Sequence, residues 1–270
     1  MKNYHLFYDE GDPRAQDVLQ WIRTGAIPPP CNLIADSDIP YQDAEPDIGL
    51  VVGGDGRMLR SIHEWSLYEK PILGLDRGTR GFLMNPIDSP EVLLGVLDDF
   101  DSCEIIPSPL LVADFSVCNG PVLVDSKRQV AFNDIALQAD HGSVISGYIE
   151  GTSYPRRDFR GSGIIVATAQ GSTAFNRSAG GVVLPLGHQI TAITTNCSMT
   201  LPIRDVVNNQ SLVIALNSDG VRGLAVGLFD GRVIKNVRRV VIQPDPTRVV
   251  RIAFMPGYNF EQKRYLNFPQ

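Results

Sequence analysis

Cysteine, histidine and tryptophan are scarce in this chain, with four, four and two residues. Cys31, Cys103, Cys118 and Cys197 stand far apart, without the paired spacing of metal ligands. That excludes a structural zinc site, and the thiols read as ordinary buried groups of a reducing compartment. His5, His63, His141 and His188 fall at no motif position, so they read as core or surface residues without a catalytic role. Positive charge is not in excess: Lys and Arg number 24 against 30 Asp and Glu, for a net charge of -6. This argues against a surface that coats nucleic acid, while a local pocket for a small anion needs no such surplus. No run approaches the ~18 apolar residues of a membrane span. Met1-Lys2-Asn3-Tyr4-His5 does not open a signal-peptide core. A cytoplasmic protein without a membrane or nucleic-acid partner is expected.

What the chain does have is a core. Its 270 residues are 43% hydrophobic and 20% charged, enough for one large domain or two ordinary ones. The organising stretch is Ile48-Gly49-Leu50-Val51-Val52-Gly53-Gly54-Asp55-Gly56-Arg57-Met58-Leu59. β-formers run into three glycines set around one aspartate, and Met58, Leu59, Ile62 and Trp65 then repeat at helical spacing. Glycine lets the backbone take positive φ and lets a ligand approach closely. Amides at a helix start favour an anion. The stretch therefore reads as a phosphate cradle that holds a carboxylate, suited to take a proton, bind a ribose diol or hold a metal. A plain strand–turn–helix corner remains the alternative on local sequence.

Around this stretch the pattern predicts alternating strands and helices. Tyr4–Tyr8, Leu33–Ala35, Ile48–Val52 and Pro71–Leu75 read as strands. Ala15, Val18, Leu19 and Ile22 mark a helix with Gly25 as its C-cap, and Ser89-Pro90-Glu91 starts another. A parallel sheet covered on both faces follows, with ligands expected beyond the carboxyl ends of its strands. The second glycine stretch, Asp76–Leu83, falls at such an end. The pattern changes near Pro107-Ser108-Pro109. Short runs rich in Val, Ile and Thr follow: Leu110–Val117, Val130–Leu137, Ile164–Thr168, Ile190–Thr195, Leu212–Leu216 and Leu224–Phe229. Asn119-Gly120, Asp219-Gly220 and Asp230-Gly231 are hairpin dipeptides. The fold class is thus an α/β N-terminal domain with a parallel sheet (1–107) plus a mostly antiparallel all-β C-terminal domain (108–249), two-sheeted or barrel-like. The sequence leaves open whether the tail, 250–270, stays with the second domain or returns to the first.

Two stretches of the second domain carry chemistry. Asn133-Asp134 is a polar pair inside an apolar run, either aimed at a ligand or marking a bulge or turn. Gly161–Gly181 takes a strand into a loop of small, hydroxylated and glycine residues, suited to a planar ligand lying against the backbone. In order along the chain, Gly53–Gly56, Asp76–Leu83, Asn133-Asp134, Thr168–Phe175 and Ser178–Gly181 resemble the motifs of the NAD kinases. These are the ATP- or polyphosphate-dependent enzymes that make NADP. The resemblance runs roughly over residues 48–185; its Gly-Ser-Thr-Ala and Ser-Ala-Gly-Gly segments are the most specific part.

The resemblance implies phosphorylation of the adenosine ribose 2′-hydroxyl of NAD. The phosphoryl donor is ATP or polyphosphate, carried with Mg²⁺ or another divalent cation, and no protein metal ligand is assigned. Asp55 is then the catalytic base. Gly53, Gly54 and Gly56 cradle the donor phosphates; Arg57, which departs from the family, either adds positive charge for phosphate or is simply a solvated helix residue. Asn133 contacts the adenine end, and Asp134 stands for the family glutamate near the ribose and phosphates. Thr173, Ala174, Phe175 and Ser178 wall the NAD pocket, which a neighbouring subunit completes in a homodimer or homotetramer.

Several positions depart from the family pattern. Arg57 replaces Thr or Phe, Asp76 replaces Asn, and Asp134 is one methylene shorter than Glu. Ser162 replaces an Asp tied to the nicotinamide half of NAD, and joins the cofactor-binding set for that reason. Ala169-Gln170 replaces a Pro-led pair, Phe175 replaces Tyr, and Thr194–Cys197 departs from a Pro- and His-containing segment. Two other functions suit the same residues: a catalytically weak dinucleotide-binding homologue, and a lipid kinase of the same superfamily.

Overall fold

The computed structural model describes residues 2–24, 32–35, 46–65, 70–76, 81–119, 122–140, 143–217 and 225–266. The Gly25 cap, Cys31, residues 77–80 of the second glycine stretch, Gly120, His141 and Asp219-Gly220 lie outside them. Two compact units form: residues 1–107 with 248–270, and residues 108–247.

The first unit begins β1 (Asn3–Phe7), α1 (Pro13–Arg23), β2 (Asn32–Ala35), β3 (Ile48–Val52), α2 (Asp55–Trp65) and β4 (Pro71–Asp76). Its sheet runs β2-β1-β3-β4 and continues with Arg251–Ala253 of the last strand, all parallel. Every residue of β3 is buried, as a parallel strand covered on both faces requires. The short β5 (Asn85–Pro86) pairs with the end of β4. α3 (Pro90–Asp98) starts as its sequence predicts: the Ser89 side chain accepts a hydrogen bond from the Val92 amide at 3.4 Å, with Pro90 in the first turn. On α2 the buried set is Met58, Ser61, Ile62 and Trp65. Leu59, expected in that stripe, is half-buried because Ser61 sits closer to the centre of the inward arc.

The C-terminal segment is sewn into this sheet by Asn85. It is fully buried, donates to the Gly74 and Ala253 carbonyls at 2.9 and 3.0 Å, and accepts the Met255 amide at 2.7 Å. A buried amide with its partners made is specific as well as tolerated. It fixes the strand that leads into α5 (Phe260–Leu266), which in chain order follows the single-turn α4 (Phe175–Ser178).

The second unit is antiparallel. β8 (Asp134–Ala139) is flanked by β11 (Gly163–Thr168) and β15 (Ala225–Phe229); β12 (Ile190–Asn196) and β13 (Arg204–Asn208) extend the sheet beyond β11. β9 (Ile145–Gly151) pairs with β10 (Arg157–Gly161) and with β14 (Leu212–Leu216). The long β16 (Arg232–Phe254) pairs first with β15 and then with β14. β6 (Glu104–Asn119) and β7 (Val122–Ala131) form a further pair. Alternate residues such as Phe115, Ile135, Ile164, Val166, Ile193, Ile214 and Val240 meet in one apolar core. The run Val130–Leu137 is not one strand: the chain breaks at Phe132-Asn133, between β7 and β8. Nor are all thiols buried. Cys103 and Cys118 are, while Cys197 is exposed at φ 45° on the turn after β12. Among the described residues no helix is long and apolar enough to cross a membrane.

Candidate active site

In the first unit the chain leaves β3 through Gly53, whose φ of 147° and whose crowding against Arg57 Cβ, 3.1 Å from an added Cβ, both call for glycine. Its amide donates to the Leu75 carbonyl at 3.0 Å. That N–H is therefore engaged within the unit, and Gly53 shapes the turn from which the helix starts. The helix start lies just beyond. Arg57 and Met58 amides already bond to the Gly54 carbonyl, and helix geometry gives the preceding amides, those of Gly54, Asp55 and Gly56, no acceptor within the helix. Gly56 is exposed, and an added Cβ there would meet nothing within 4 Å, so approach to this amide is open.

Asp55 turns inward. Its carboxylate accepts the Phe82 amide at 3.0 and 2.9 Å and the Leu83 amide at 3.1 Å. The two glycine stretches, β3–α2 and β4–β5, therefore meet on one carboxyl group. Oδ1 carries two of these bonds and Oδ2 one, which leaves Oδ2 the freer acceptor. A Cβ on Gly81 would stand 3.2 Å from both Asp55 Oδ1 and Asp76 Oδ2, so the two carboxylates line one small gap. Burial raises the Asp55 pKa above its ordinary value; the Phe82 and Leu83 amides and the Lys263 charge lower it, and Asp76 adds to the rise. Lys263 and the fully buried Arg264, both on α5, direct positive charge toward Asp55. Neither was legible in the sequence, because nothing local says that a C-terminal helix returns to this loop. Arg57 is turned the other way. It pairs with Asp9 and Glu64 at 3.7 and 3.8 Å and lies over the Phe7 ring at 5.8 Å. Its charge is thus already opposed by two carboxylates.

In the second unit the break at Phe132-Asn133 is held from two sides. The Thr168 hydroxyl donates to the Phe132 and Asn133 carbonyls at 2.7 and 3.0 Å. The Gln170 amide donates to Phe132 and Pro109 carbonyls at 2.8 and 2.7 Å. Gly171 packs so closely that a Cβ would stand 2.0 Å from the Asn133 carbonyl oxygen. From the opposite side, the Asp230 carboxylate accepts the amides of Phe132, Asn133 and Asp134 at 2.7, 2.7 and 3.2 Å. Asp134 itself is buried, and burial followed by the Asp230 charge lifts its pKa to about 7. In the sequence Asp230 is half of a hairpin dipeptide, and its reach back to residue 132 carries no local signal.

The loop after β11 leans on the same break. The Ser172 hydroxyl donates to Ala169 and accepts the Leu184 amide, while Asn176 bridges Ser172, Val182 and Thr194. On this braced loop Thr173 and Phe175 are half-buried, and Ala174 and Ser178 exposed. Phe175 packs on Ala136, Ile165 and Ala167. Asn133, Asp134, Thr173, Ala174, Phe175 and Ser178 thus belong to one neighbourhood at one end of β8 and β11. Ser162 does not. It precedes β11, where its carbonyl accepts the Ala139 amide at 2.8 Å, roughly 20 Å along the strands from Asn133 at ~3.3 Å per residue.

The sequence model of the ATP-NAD kinase N-terminal domain matches residues 34–102. The chain is 27% identical to the NAD kinase of Hyphomonas neptunium over 263 residues, 95% of this chain and 94% of that one. It is 32% identical to the NAD kinase of Rickettsia typhi over 226 residues, 82% and 84% of the two chains. In fold it is similar to yeast NADH kinase solved with NADH, at TM-score 0.82 and 17% identity over 100% of this chain and 89% of that chain. An NAD kinase from Archaeoglobus fulgidus solved with ATP gives TM-score 0.70 and 20% identity over 98% and 96%. With a relative above 30% identity matched over four-fifths of this chain, the protein belongs to the NAD kinase family.

Proposed function

We propose that this chain is an active NAD kinase that transfers the terminal phosphoryl group of ATP to the 2′-hydroxyl of the adenosine ribose of NAD. The observation that carries the reading is the setting of Asp55. A carboxylate whose pKa burial has raised is a better proton acceptor than an exposed one, and it sits at a helix start with open amides beside it. The ribose O2′ forms a bond to the γ-phosphorus as the bond from that phosphorus to the bridging oxygen breaks. The hydroxyl proton passes to Asp55, and ADP leaves. Phosphoryl transfer asks the protein for position and charge compensation. The amides of Gly54, Asp55 and Gly56 hold the donor phosphates, and Lys263 supplies positive charge.

Among the described residues no three His, Cys, Asp or Glu side chains converge on a metal site. The divalent cation is assigned to the donor's own phosphates, the usual coordination of Mg²⁺ beside a nucleotide. Such a cation neutralises phosphate charge when bound. Asn133, held by its backbone, contacts the adenine end; Asp134 stands near the ribose; Thr173, Ala174, Phe175 and Ser178 form the wall. The separation of Ser162 from Asn133 favours a homo-oligomer, in which a second copy completes the pocket.

The test is NADP formation by the purified chain with Mg²⁺ and ATP, and separately polyphosphate, using NAD and NADH. Asp55→Asn is expected to lower kcat by about 10²- to 10⁴-fold with KM for NAD nearly unchanged. Turnover that survives this substitution would remove Asp55 from the role of base. Dinucleotide binding without turnover in the unaltered protein would replace the kinase with a binding protein.

A further inference from the structure

Asp230-Gly231 is the two-residue loop between β15 and β16, with φ of 48° and 77°. Such a loop asks only for Asn, Asp or Gly, whose side chains tolerate positive φ. An asparagine would turn the chain as well. The carboxylate goes further than the turn. Its Oδ2 accepts the Phe132 amide, its Oδ1 accepts the Asn133 and Asp134 amides, and the Asp230 amide donates back to the Asp134 carbonyl at 3.2 Å. The backbone of 132–134 is thus folded around one anion from a segment almost a hundred residues away. Ionic acceptors make stronger hydrogen bonds than neutral ones. The same charge is a burden here, since it lies beside the buried Asp134 and raises that group's pKa. A charge kept next to a like charge, where a neutral residue would serve the turn, points to a use for its grip.

That use follows from what the grip holds. Thr168, Gln170 and Gly171 secure the carbonyl side of the break, and Asp230 alone among these residues secures the amide side. Phe132 and Asn133 lie outside regular structure, because β7 has ended at Ala131 and β8 begins only at Asp134. We propose that Asp230 is a positioning residue of the dinucleotide site, fixing the backbone from which Asn133 and Asp134 meet NAD. The inference rests on the reading of those two residues as NAD contacts. It assigns Asp230 to NAD binding, acting through the turn and touching no reacting atom.

The test compares Asp230→Asn, Asp230→Ala and Asn133→Ala with the unaltered full chain, measuring kcat and KM for NAD and for ATP. Asparagine keeps one oxygen for the Asn133 and Asp134 amides but turns an NH₂ group toward the Phe132 amide. Its KM for NAD is expected to rise about threefold, and that of the alanine variant tenfold or more. KM for ATP should stay within twofold in both, a split that general loosening of the fold would not produce. If the alanine variant does not fold, the asparagine variant decides. An unchanged KM for NAD in Asp230→Asn, beside a raised one in Asn133→Ala, overturns the positioning role and leaves the NAD-site reading standing. No change in KM for NAD in Asn133→Ala removes that reading, and the proposal with it. A fall in kcat with both KM values unchanged also overturns the proposal.

Discussion

Replacing Asp134 by asparagine should make the protein's stability less dependent on pH, by an amount that the structure sets. The Asp134 carboxyl is buried and its pKa is lifted from an ordinary 3.8 to about 7. A group whose folded-state pKa lies above its unfolded value favours the folded state when protonated. Its contribution is fully present below about pH 4 and is lost as the pH climbs through 7. The gap is roughly three pH units, and at 1.36 kcal/mol each the ionised carboxylate costs the fold about 4 kcal/mol above pH 8. At pH 5 only a little over one unit of that gap has been traversed, and the cost is about 1.5–2 kcal/mol. Between pH 5 and pH 8 the unaltered protein should therefore lose about 2–3 kcal/mol more than Asp134→Asn, which carries no charge at either pH.

The assay is urea unfolding at both pH values followed by far-UV circular dichroism. Intrinsic tryptophan fluorescence would report the wrong unit, since Trp21 and Trp65 both belong to the first. A carboxyl-carbon NMR titration of Asp134 gives the midpoint directly. Parallel stability curves for the two proteins, or an Asp134 midpoint near 4, would refute the reasoning: the site would then be more solvated, or Asp230 more distant, than its hydrogen bonds imply.

Three further substitutions probe other parts of the molecule. Gly171→Ala places a methyl 2.0 Å from the Asn133 carbonyl oxygen; the break must shift, with an expected loss of about 1–3 kcal/mol of stability and a higher KM for NAD, and an unaffected KM would show the turn to be slack. Asn85→Ala removes a buried side chain that joins Gly74, Ala253 and Met255. The unmet groups should cost about 2–4 kcal/mol, read as a lower thermal midpoint, and a change below about half a kcal/mol would mean that water replaces the amide. Ser162→Asp restores a carboxylate at the position that the resemblance ties to the nicotinamide half. KM for NAD should fall relative to KM for NADH, because only the oxidised ring is cationic; equal changes for both would separate Ser162 from that ring.

Local sequence went far in this protein where one residue's preferences decide the structure. Gly53 marks a turn that needs positive φ, Ser89-Pro90-Glu91 starts a helix, and Asp230-Gly231 closes a hairpin. The alternation of strand and helix patterns in the first hundred residues implied a parallel sheet, which β1, β3 and β4 form. Asp55 was legible as the residue to watch, because a lone carboxylate among glycines before a helix has few structural uses. What no window of the sequence contains is the partner of each such group. The amides that grip Asp55 come from Phe82 and Leu83, and the carboxylate that grips the 132–134 amides comes from Asp230. The helix that brings Lys263 and Arg264 toward Asp55 depends on a strand added beside β4 and tied there by Asn85.

The physical reason is the range of the interactions. Backbone angles and burial periodicity are set by a residue and its near neighbours, so they can be read in order along the chain. A hydrogen bond between segments a hundred residues apart depends on the register of the sheets that carry both ends, and only the folded chain fixes that. The sequence thus determined which polar groups stand in the glycine stretches and the Asn133–Asp134 break and on which elements they lie, and the tertiary structure decided how they are held. It took the Gly53 amide for the sheet, set two carboxylates against Arg57, and turned a hairpin aspartate into the clasp of the Asn133–Asp134 turn.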